Sequence, residues 1–332
     1  MSAVREVVDG AIYAASAPMG TVVSRGTSAD HHTDLFEQPV PRRYVHRAAV
    51  SEVLLTHFAE DELPNSFRIS AQWPRAHGYY RPVDGRHDPM LLTETIRQAG
   101  LMVGHVGYGI PLDHRFIMSR ISIDLGAEGV DCGGKPTNLV LSVSCINLKY
   151  RGRQVIGCEG LVAVYDGSTQ VGAGSFRFVS SSPAVYNRMR ASAGLTEPRP
   201  EVPAPLPAVA PELVARLTAS EVVLADAAPG EGWLLRCNPE HPILFDHPVD
   251  HVPGMVLMEA ARQAAHRLLQ PAGVTLTGMV GDFDQYAELH LPTEIRAHLE
   301  APLSDGSVMV RVVMTQAGGQ VASILATALA AG

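Results

Sequence analysis

The chain repeats itself, and that feature limits its possible folds more than any other. Ser51-Glu52-Val53-Leu54-Leu55 returns as Ser220-Glu221-Val222-Val223-Leu224, and Glu94-Thr95-Ile96-Arg97-Gln98-Ala99 returns as Glu259-Ala260-Ala261-Arg262-Gln263-Ala264. Pro136-Thr137-Asn138-Leu139 then matches Pro292-Thr293-Glu294-Ile295, and Gln170-Val171 matches Gln320-Val321. Islands that recur in one order mark two copies of one structural unit, and 332 residues suit two domains of ordinary size. Between the copies, Pro198, Pro200, Pro203, Pro205, Pro207 and Pro211 favour extended backbone over a packed helix. The expected division is an N-terminal tail at 1–42, a first unit at 43–181, a Pro-rich linker at 182–212 and a second unit at 213–332.

Within each unit the first island reads as an opening strand, the second as one apolar helix, and the remainder as strand-like runs. These runs fall at 117–125, 138–150, 154–166 and 170–180, with turns at Gly152 and Gly167. Their counterparts fall at 280–289, 293–300, 307–315 and 320–330, broken at Asp305-Gly306 and Gly318-Gly319. An antiparallel meander of this size buries one face, and the helix is its natural cover, so the fold class is α+β.

Composition removes several functions. A formal net charge of −8 and a pI near 5.9 give no basic footprint for nucleic acid. No run reaches the ~18 apolar residues of a membrane span, and the N-terminus has no leader-like apolar stretch, so a cytoplasmic protein is expected. Cys132, Cys145, Cys158 and Cys237 are widely spaced, without a Cys-x-x-Cys pair, and are expected to be reduced and mostly buried.

The helix after Pro253-Gly254 is apolar on almost every side except at Glu259, Arg262 and Gln263. Asp88-Pro89 opens its counterpart as an N-cap followed by proline in the first turn, with Glu94 and Arg97 in the same places. Glutamate and arginine three apart share a helix face, and charge inside a central helix is costly even when paired. Either the pairs neutralise each other as a packing device or they face a cleft between the units. Before the second helix lies His241-Pro242-Ile243-Leu244-Phe245-Asp246-His247-Pro248-Val249-Asp250-His251-Val252, where imidazoles beside carboxylates can act as acid or base. Pro248 and Pro253 prevent His247 and His251 from sharing a regular helix face, so no metal site is expected. Tyr79, Tyr80, Arg81 and His87 read as a solvated loop.

The run Pro253-Gly254-Met255-Val256-Leu257-Met258-Glu259-Ala260 resembles the central-helix motif of hot-dog dehydratases. Two departures weaken that likeness: a His-Pro-Val-Asp-His loop, and an arginine three residues after the acid. The chain more closely resembles the A-factor biosynthesis (AfsA) family, through the 246–254 loop, Glu259 to Ala264, Val45-His46-Arg47 and the 94–98 stretch. The resemblance covers residue 43 to the C-terminus apart from the linker. It implies a tandem (double) hot-dog fold, each unit an antiparallel sheet wrapped around a central helix. It also implies an acyltransferase that joins a β-ketoacyl group from acyl carrier protein to dihydroxyacetone phosphate, the first step towards a γ-butyrolactone, furan or butenolide signal. No cofactor, nucleic acid or membrane partner is implied, and the protein is expected to be a monomer or a homodimer.

Acyl transfer from a thioester needs a base and oxyanion donors. On that basis Glu259 is expected as the base, with Arg262 holding the phosphate or orienting Glu259, and His247 and His251 as secondary base or binding groups. The backbone N–H groups at Gly254 and Met255 are expected to face the thioester oxygen. Glu94 and Arg97 are expected to line the opposite wall, with the second unit ranked first for its fuller histidine loop. The competing readings are a dehydratase or thioesterase on the same fold and a non-catalytic lactone-binding regulator.

Overall fold

The computed structural model describes residues 35–330 apart from 127, 193, 196–199, 229, 272, 301 and 304–305. Residues 1–34 of the expected 1–42 tail, Pro198 of the linker and Asp305 of one turn lie outside the described residues. The first unit comprises β1 (Leu55–Glu60), β2 (Ser66–Trp73), α1 (Pro89–Met102), β3 (Arg115–Asp124), β4 (Thr137–Arg151), β5 (Gln154–Asp166) and β6 (Thr169–Ser181). Helix α2 (Pro183–Ser192) opens the segment expected as linker. The second unit comprises β7 (Leu224–Asp226), β8 (Trp233–Leu235), α3 (Gly254–Leu268), β9 (Val274–Phe283), β10 (Glu294–Leu299), β11 (Val308–Gln316) and β12 (Gly319–Ala330).

All the strands join one sheet in the order β1-β2-β4-β5-β6-β3-β9-β12-β11-β10-β8-β7. The order is a palindrome in terms of the repeat, with each unit contributing the same six strands in opposite sense. The seam is the antiparallel pair β3–β9, in register from Arg120 opposite Asp282 to Asp124 opposite Gly278. Arg120 clamps both oxygens of Asp282 at 2.6 and 2.8 Å across it. Within a unit β4, β5 and β6 form the expected meander. The strand that follows the helix, β3, instead crosses to the far side and pairs with β6.

Two strand expectations shift. The islands at 51–55 and 220–224 begin as 3-10 turns, Val50–Glu52 and Ala219–Glu221, and the strands start only at Leu55 and Leu224. The cause lies on the helices: Gln98 accepts from Leu54 N–H at 3.0 Å and donates to Glu52 C=O at 2.7 Å. Gln263 does the same for Val223 N–H and Glu221 C=O, at 2.9 and 3.0 Å. A side-chain amide thus takes the bonds that a sheet ladder would have used. The run expected at 280–289 is a strand only to Phe283. Beyond it the backbone is held by Gln316, which accepts from Glu288 N–H at 2.8 Å and donates to the carbonyls of Glu288 and Leu291 at 2.9 and 3.1 Å.

Helix α1 starts where Asp88 accepts from Met90 N–H at 2.8 Å, with Pro89 in the first turn. Its side chains are buried almost all round, Leu91, Leu92, Ile96 and Ala99 among them, as is nearly all of α3. Mid-strand Gly160 makes room for the core: a Cβ there would stand 2.1 Å from the Phe176 ring. Cys145 and Cys158 are buried with their sulfurs 3.7 Å apart, whereas Cys132 and Cys237 are partly exposed; all four are free thiols.

Candidate functional site

The two Glu–Arg pairs are the centres of two matching clusters. Glu259, fully buried, receives Arg216 Nε at 3.0 Å and Nη2 at 2.8 Å, Arg262 Nε at 3.0 Å and Nη2 at 3.2 Å, and Gln263 Nε2 at 2.6 Å. Glu94 receives Arg47 Nε at 3.0 Å and Nη2 at 2.7 Å, both Arg97 nitrogens at 2.8 Å, and Gln98 Nε2 at 2.7 Å. Each outer arginine also crosses to the other unit: Arg47 Nη1 donates to Ile243 C=O at 3.1 Å and Arg216 Nη1 to Tyr79 C=O at 2.8 Å. The residues before them, His46 and Ala215, both hold left-handed backbone, at φ 50° and 54°.

Burial alone would raise a carboxyl pKa. Two guanidiniums and an amide outweigh it and hold both Glu94 and Glu259 down at about 2. A carboxylate whose two oxygens are saturated by charged donors has little affinity for a proton. In this geometry Glu259 fastens Arg262 and Arg216. The first of the two readings weighed for these pairs, mutual neutralisation, describes Glu259 well.

The clusters diverge at their outer edges. Arg262 is buried and spans to Asp88, the α1 cap, at 3.5 Å. Arg216 lies over the Tyr79 ring, 4.0 Å from its centroid, and Tyr79 and Tyr80 are 1% exposed, so this loop is packed and not solvated. Arg97 is 20% exposed and donates to Val45 C=O at 3.2 Å. Around Arg97 the sequence of the first unit supplies what the second lacks. His46 lies 2.8 Å, Nε2 to Nε2, from His105, on the turn Val103–Gly107 that ends α1. His105 Nδ1 is 2.7 Å from Ile110 C=O. A carbonyl only accepts, so His105 carries its proton on Nδ1, and His46 donates from Nε2 and keeps a lone pair on Nδ1. Burial first, then His105, Arg97, His247 and Arg115, push the His46 pKa down to about 3. The two guanidiniums among these neighbours are suited to an anion. His247 belongs to this group, held by Asp246 at 3.2 Å, and Asp246 in turn accepts from the N–H groups of Ala48 and Ala49 at 2.5 and 3.0 Å.

A second group begins at Arg115, whose guanidinium lies 6.0 Å from the Tyr186 ring centroid. Tyr186 O–H lies 2.8 Å from Asp250, and Asp250 lies 2.7 Å from His251 Nδ1. That contact fixes the tautomer, with the His251 proton on Nδ1 and the lone pair on Nε2. Arg190 of α2 braces the group, donating to Asp250 C=O at 2.9 Å and forking onto Glu288 at 2.6 and 2.8 Å. Three residues beyond His251, α3 begins at Gly254. Pro253 offers it no side-chain cap, unlike Asp88 on α1. Its first N–H groups, at Gly254 and Met255, have no intrahelical acceptor and carry the positive end of the dipole.

The structure thus brings His247 and Arg97 together, sets His251 beside Gly254 and Met255, and places Glu259 and Arg262 in a closed cluster with Glu94 as the counterpart of Glu259. Sequence reasoning missed Arg216, His105, Arg115 and Tyr186, and met Arg47 only as part of the Val45-His46-Arg47 motif. Arg47 and Arg216 each stand five residues before the Glu of the first repeated island, a spacing that would have revealed them.

The arrangement was compared with known proteins. The family model described as "A-factor biosynthesis hotdog domain" matches residues 28–181 and 199–332. A Streptomyces virginiae protein named 2-oxo-3-(phosphooxy)propyl 3-oxoalkanoate synthase is 42% identical over 82% of this chain and 92% of its own length. A protein of the same name from Streptomyces coelicolor is 34% identical over 92% of this chain and 96% of its own. Among solved structures, one described as an oleoyl thioesterase from Lactobacillus plantarum shares the fold, with a TM-score of 0.50, 13% identity, and coverage of 81% of this chain and 98% of that one. With two matched segments that coincide with the two halves of the palindromic sheet, the chain belongs to the A-factor biosynthesis hotdog domain family.

Proposed function

We propose that the protein is an acyltransferase that joins a 3-oxoacyl group, delivered as a thioester on acyl carrier protein, to the hydroxyl of dihydroxyacetone phosphate. The product is the 2-oxo-3-(phosphooxy)propyl 3-oxoalkanoate from which γ-butyrolactone-type signals are built. The relatives' name, over nearly their whole length, supports the reaction. The observation that carries the site is the pairing of two groups linked through Arg115. One is the pair of guanidiniums, Arg97 and Arg115, around neutral His46 and beside His247; the other is an imidazole–carboxylate pair, His251 and Asp250, beside an uncapped helix start.

In this reading the phosphate is held by Arg97 and Arg115, whose planar donor forks match its oxygens, with His46 and His247 beside them. His251 Nε2 takes the proton of the attacking hydroxyl as its oxygen bonds to the thioester carbonyl carbon. The N–H groups of Gly254 and Met255 hold the resulting oxyanion. Collapse of the tetrahedral intermediate breaks the C–S bond, and the His251 proton passes to the leaving thiolate. Glu94 positions Arg97 through two charged hydrogen bonds; Glu259 and Arg262 do the same work for the closed half.

Mass spectrometry of the purified protein with a 3-oxoacyl thioester and dihydroxyacetone phosphate tests this. The expected product is the phosphorylated ester, absent with His251→Gln. Release of free acid or of an enoyl product in place of the ester would overturn the reading in favour of a thioesterase or a dehydratase.

A further inference from the structure

The β4–β5 hairpin carries the sequence Ile146-Asn147-Leu148-Lys149-Tyr150-Arg151-Gly152-Arg153-Gln154, three cations and no acid, in a chain whose net charge is −8. Lys149, Arg151 and Arg153 are exposed, and among the described residues none of them forms an ion pair. Tyr150 is 60% and Ile146 41% exposed between them. Glu159 on the neighbouring strand does not neutralise the tip, because Arg177 and Asn147 already hold it at 3.1 and 3.2 Å. Unpaired cations around exposed apolar side chains are the composition of a recognition surface, not of a solubilising face.

The hairpin is also aimed. Register shifts on either side of Lys149, with left-handed Asn147 at φ 52°, bend β4, and a two-residue turn with Gly152 at φ 63° closes it. Lys149 pairs with Gly157, Gly157 with Val179 and Val179 with Ile117, so the tip extends past the end of the sheet at which β3 begins. Phe116, one residue before Ile117, packs on the rings of His46 and His105 at 5.6 and 4.8 Å. Three strand steps separate β4 from β3, roughly 14 Å at ~4.8 Å each. The basic tip therefore stands beside the cationic group, at a separation that suits a flexible prosthetic arm rather than direct contact with the reacting atoms.

We infer that the hairpin tip, through Lys149, Arg151 and Arg153 around Tyr150, docks an acidic face of the acyl carrier protein that delivers the thioester. The inference rests on the acyltransfer reading for the identity of the partner. Complementary charge steers the encounter and is screened by salt. The cations grip the protein and leave the acyl group to the site.

The test uses the full chain and its Lys149→Glu/Arg151→Glu/Arg153→Glu variant, with one 3-oxoacyl group presented on acyl carrier protein and on free pantetheine. Calorimetry at low and high salt reads carrier binding, and ester formation reads turnover. Docking predicts that the variant binds carrier roughly tenfold or more weakly and that wild-type binding fades with salt. It also predicts unchanged kinetics with the pantetheine thioester, and partial recovery with a carrier whose acidic face is made basic. Equal binding of carrier by both proteins overturns the inference, as does an equal loss with both donors. Wild type that binds carrier through the patch but makes no ester from either donor leaves docking standing and fells the acyltransfer reading. Ester made from pantetheine without carrier binding does the reverse.

Discussion

Arg262 of the second central helix meets Asp88, the cap of the first, at 3.5 Å, whereas Arg97 in the matching position reaches the carbonyl of Val45. Two arginines from one repeated motif therefore hold different posts, one closed between carboxylates and one partly open.

That difference predicts unequal responses to the same change. Arg97→Lys loses a bidentate fork at the open post and raises KM for dihydroxyacetone phosphate about tenfold, with kcat less affected. Arg262→Lys lowers the unfolding midpoint and leaves KM near wild type in the folded fraction. Steady-state kinetics at saturating thioester separate the two, and a reversed pattern would move the phosphate to the second unit.

Glu259→Gln leaves buried Arg216 without its counter-ion and Arg262 with Asp88 alone. Breaking such a network by removing one partner costs about 3–5 kcal/mol, so the variant should be strongly destabilised while its residual folded fraction still turns over. Denaturant melts paired with activity per folded molecule decide this. A stable variant with abolished turnover would restore Glu259 to the role of base.

The same clusters govern acid stability. Glu94 and Glu259 have folded pKa values near 2, below the ordinary carboxyl value of 4.5. Their contribution is full above pH 4.5 and is lost as pH falls from there through about 2, since protonation then favours the unfolded chain. Each carboxylate adds up to ~1.4 kcal/mol per pH unit in that window. Urea midpoints measured between pH 5 and 3 should fall steeply, and a flat profile would show that the pairs do not hold in solution.

His251→Gln keeps a donor in the place of the imidazole but removes the base. Turnover should fall by roughly 10²–10⁴-fold with modest change in KM and little change in melting temperature. Single-turnover experiments with preloaded thioester isolate that step, and an unchanged acyl-transfer rate would exclude His251 from it.

Much of the architecture was legible because the repeat islands sit on structurally fixed points. The Glu-x-x-Arg-Gln helix face, the glycine turns and the last three strands of each unit fell where local pattern placed them. Strands β2 and β8 were not read from the sequence, and the 3-10 turns were hidden because Gln98 and Gln263 hold the backbone of the opening islands from a helix distant in sequence. The site was legible as a set of residue types but not as a set of neighbours. His247 and Glu259 are close in the chain, yet the loop that carries His247 docks on Ala48 and Ala49 of the other unit. Glu259 read as a base because its second guanidinium, Arg216, lies 43 residues upstream. Its trace lies only in the repeat, where Arg47 and Arg216 hold matching places.

The β3–β9 seam gives the molecule the shape of a symmetric dimer while keeping it one polypeptide. In a true dimer any change made to one half is made to both. Here α1 could keep its aspartate cap while α3 dispensed with one, and position 46 could hold a histidine while position 215 became alanine. Covalent joining thus releases each half from copying the other, so the two Glu–Arg clusters can hold different neighbours, one closed and one partly open.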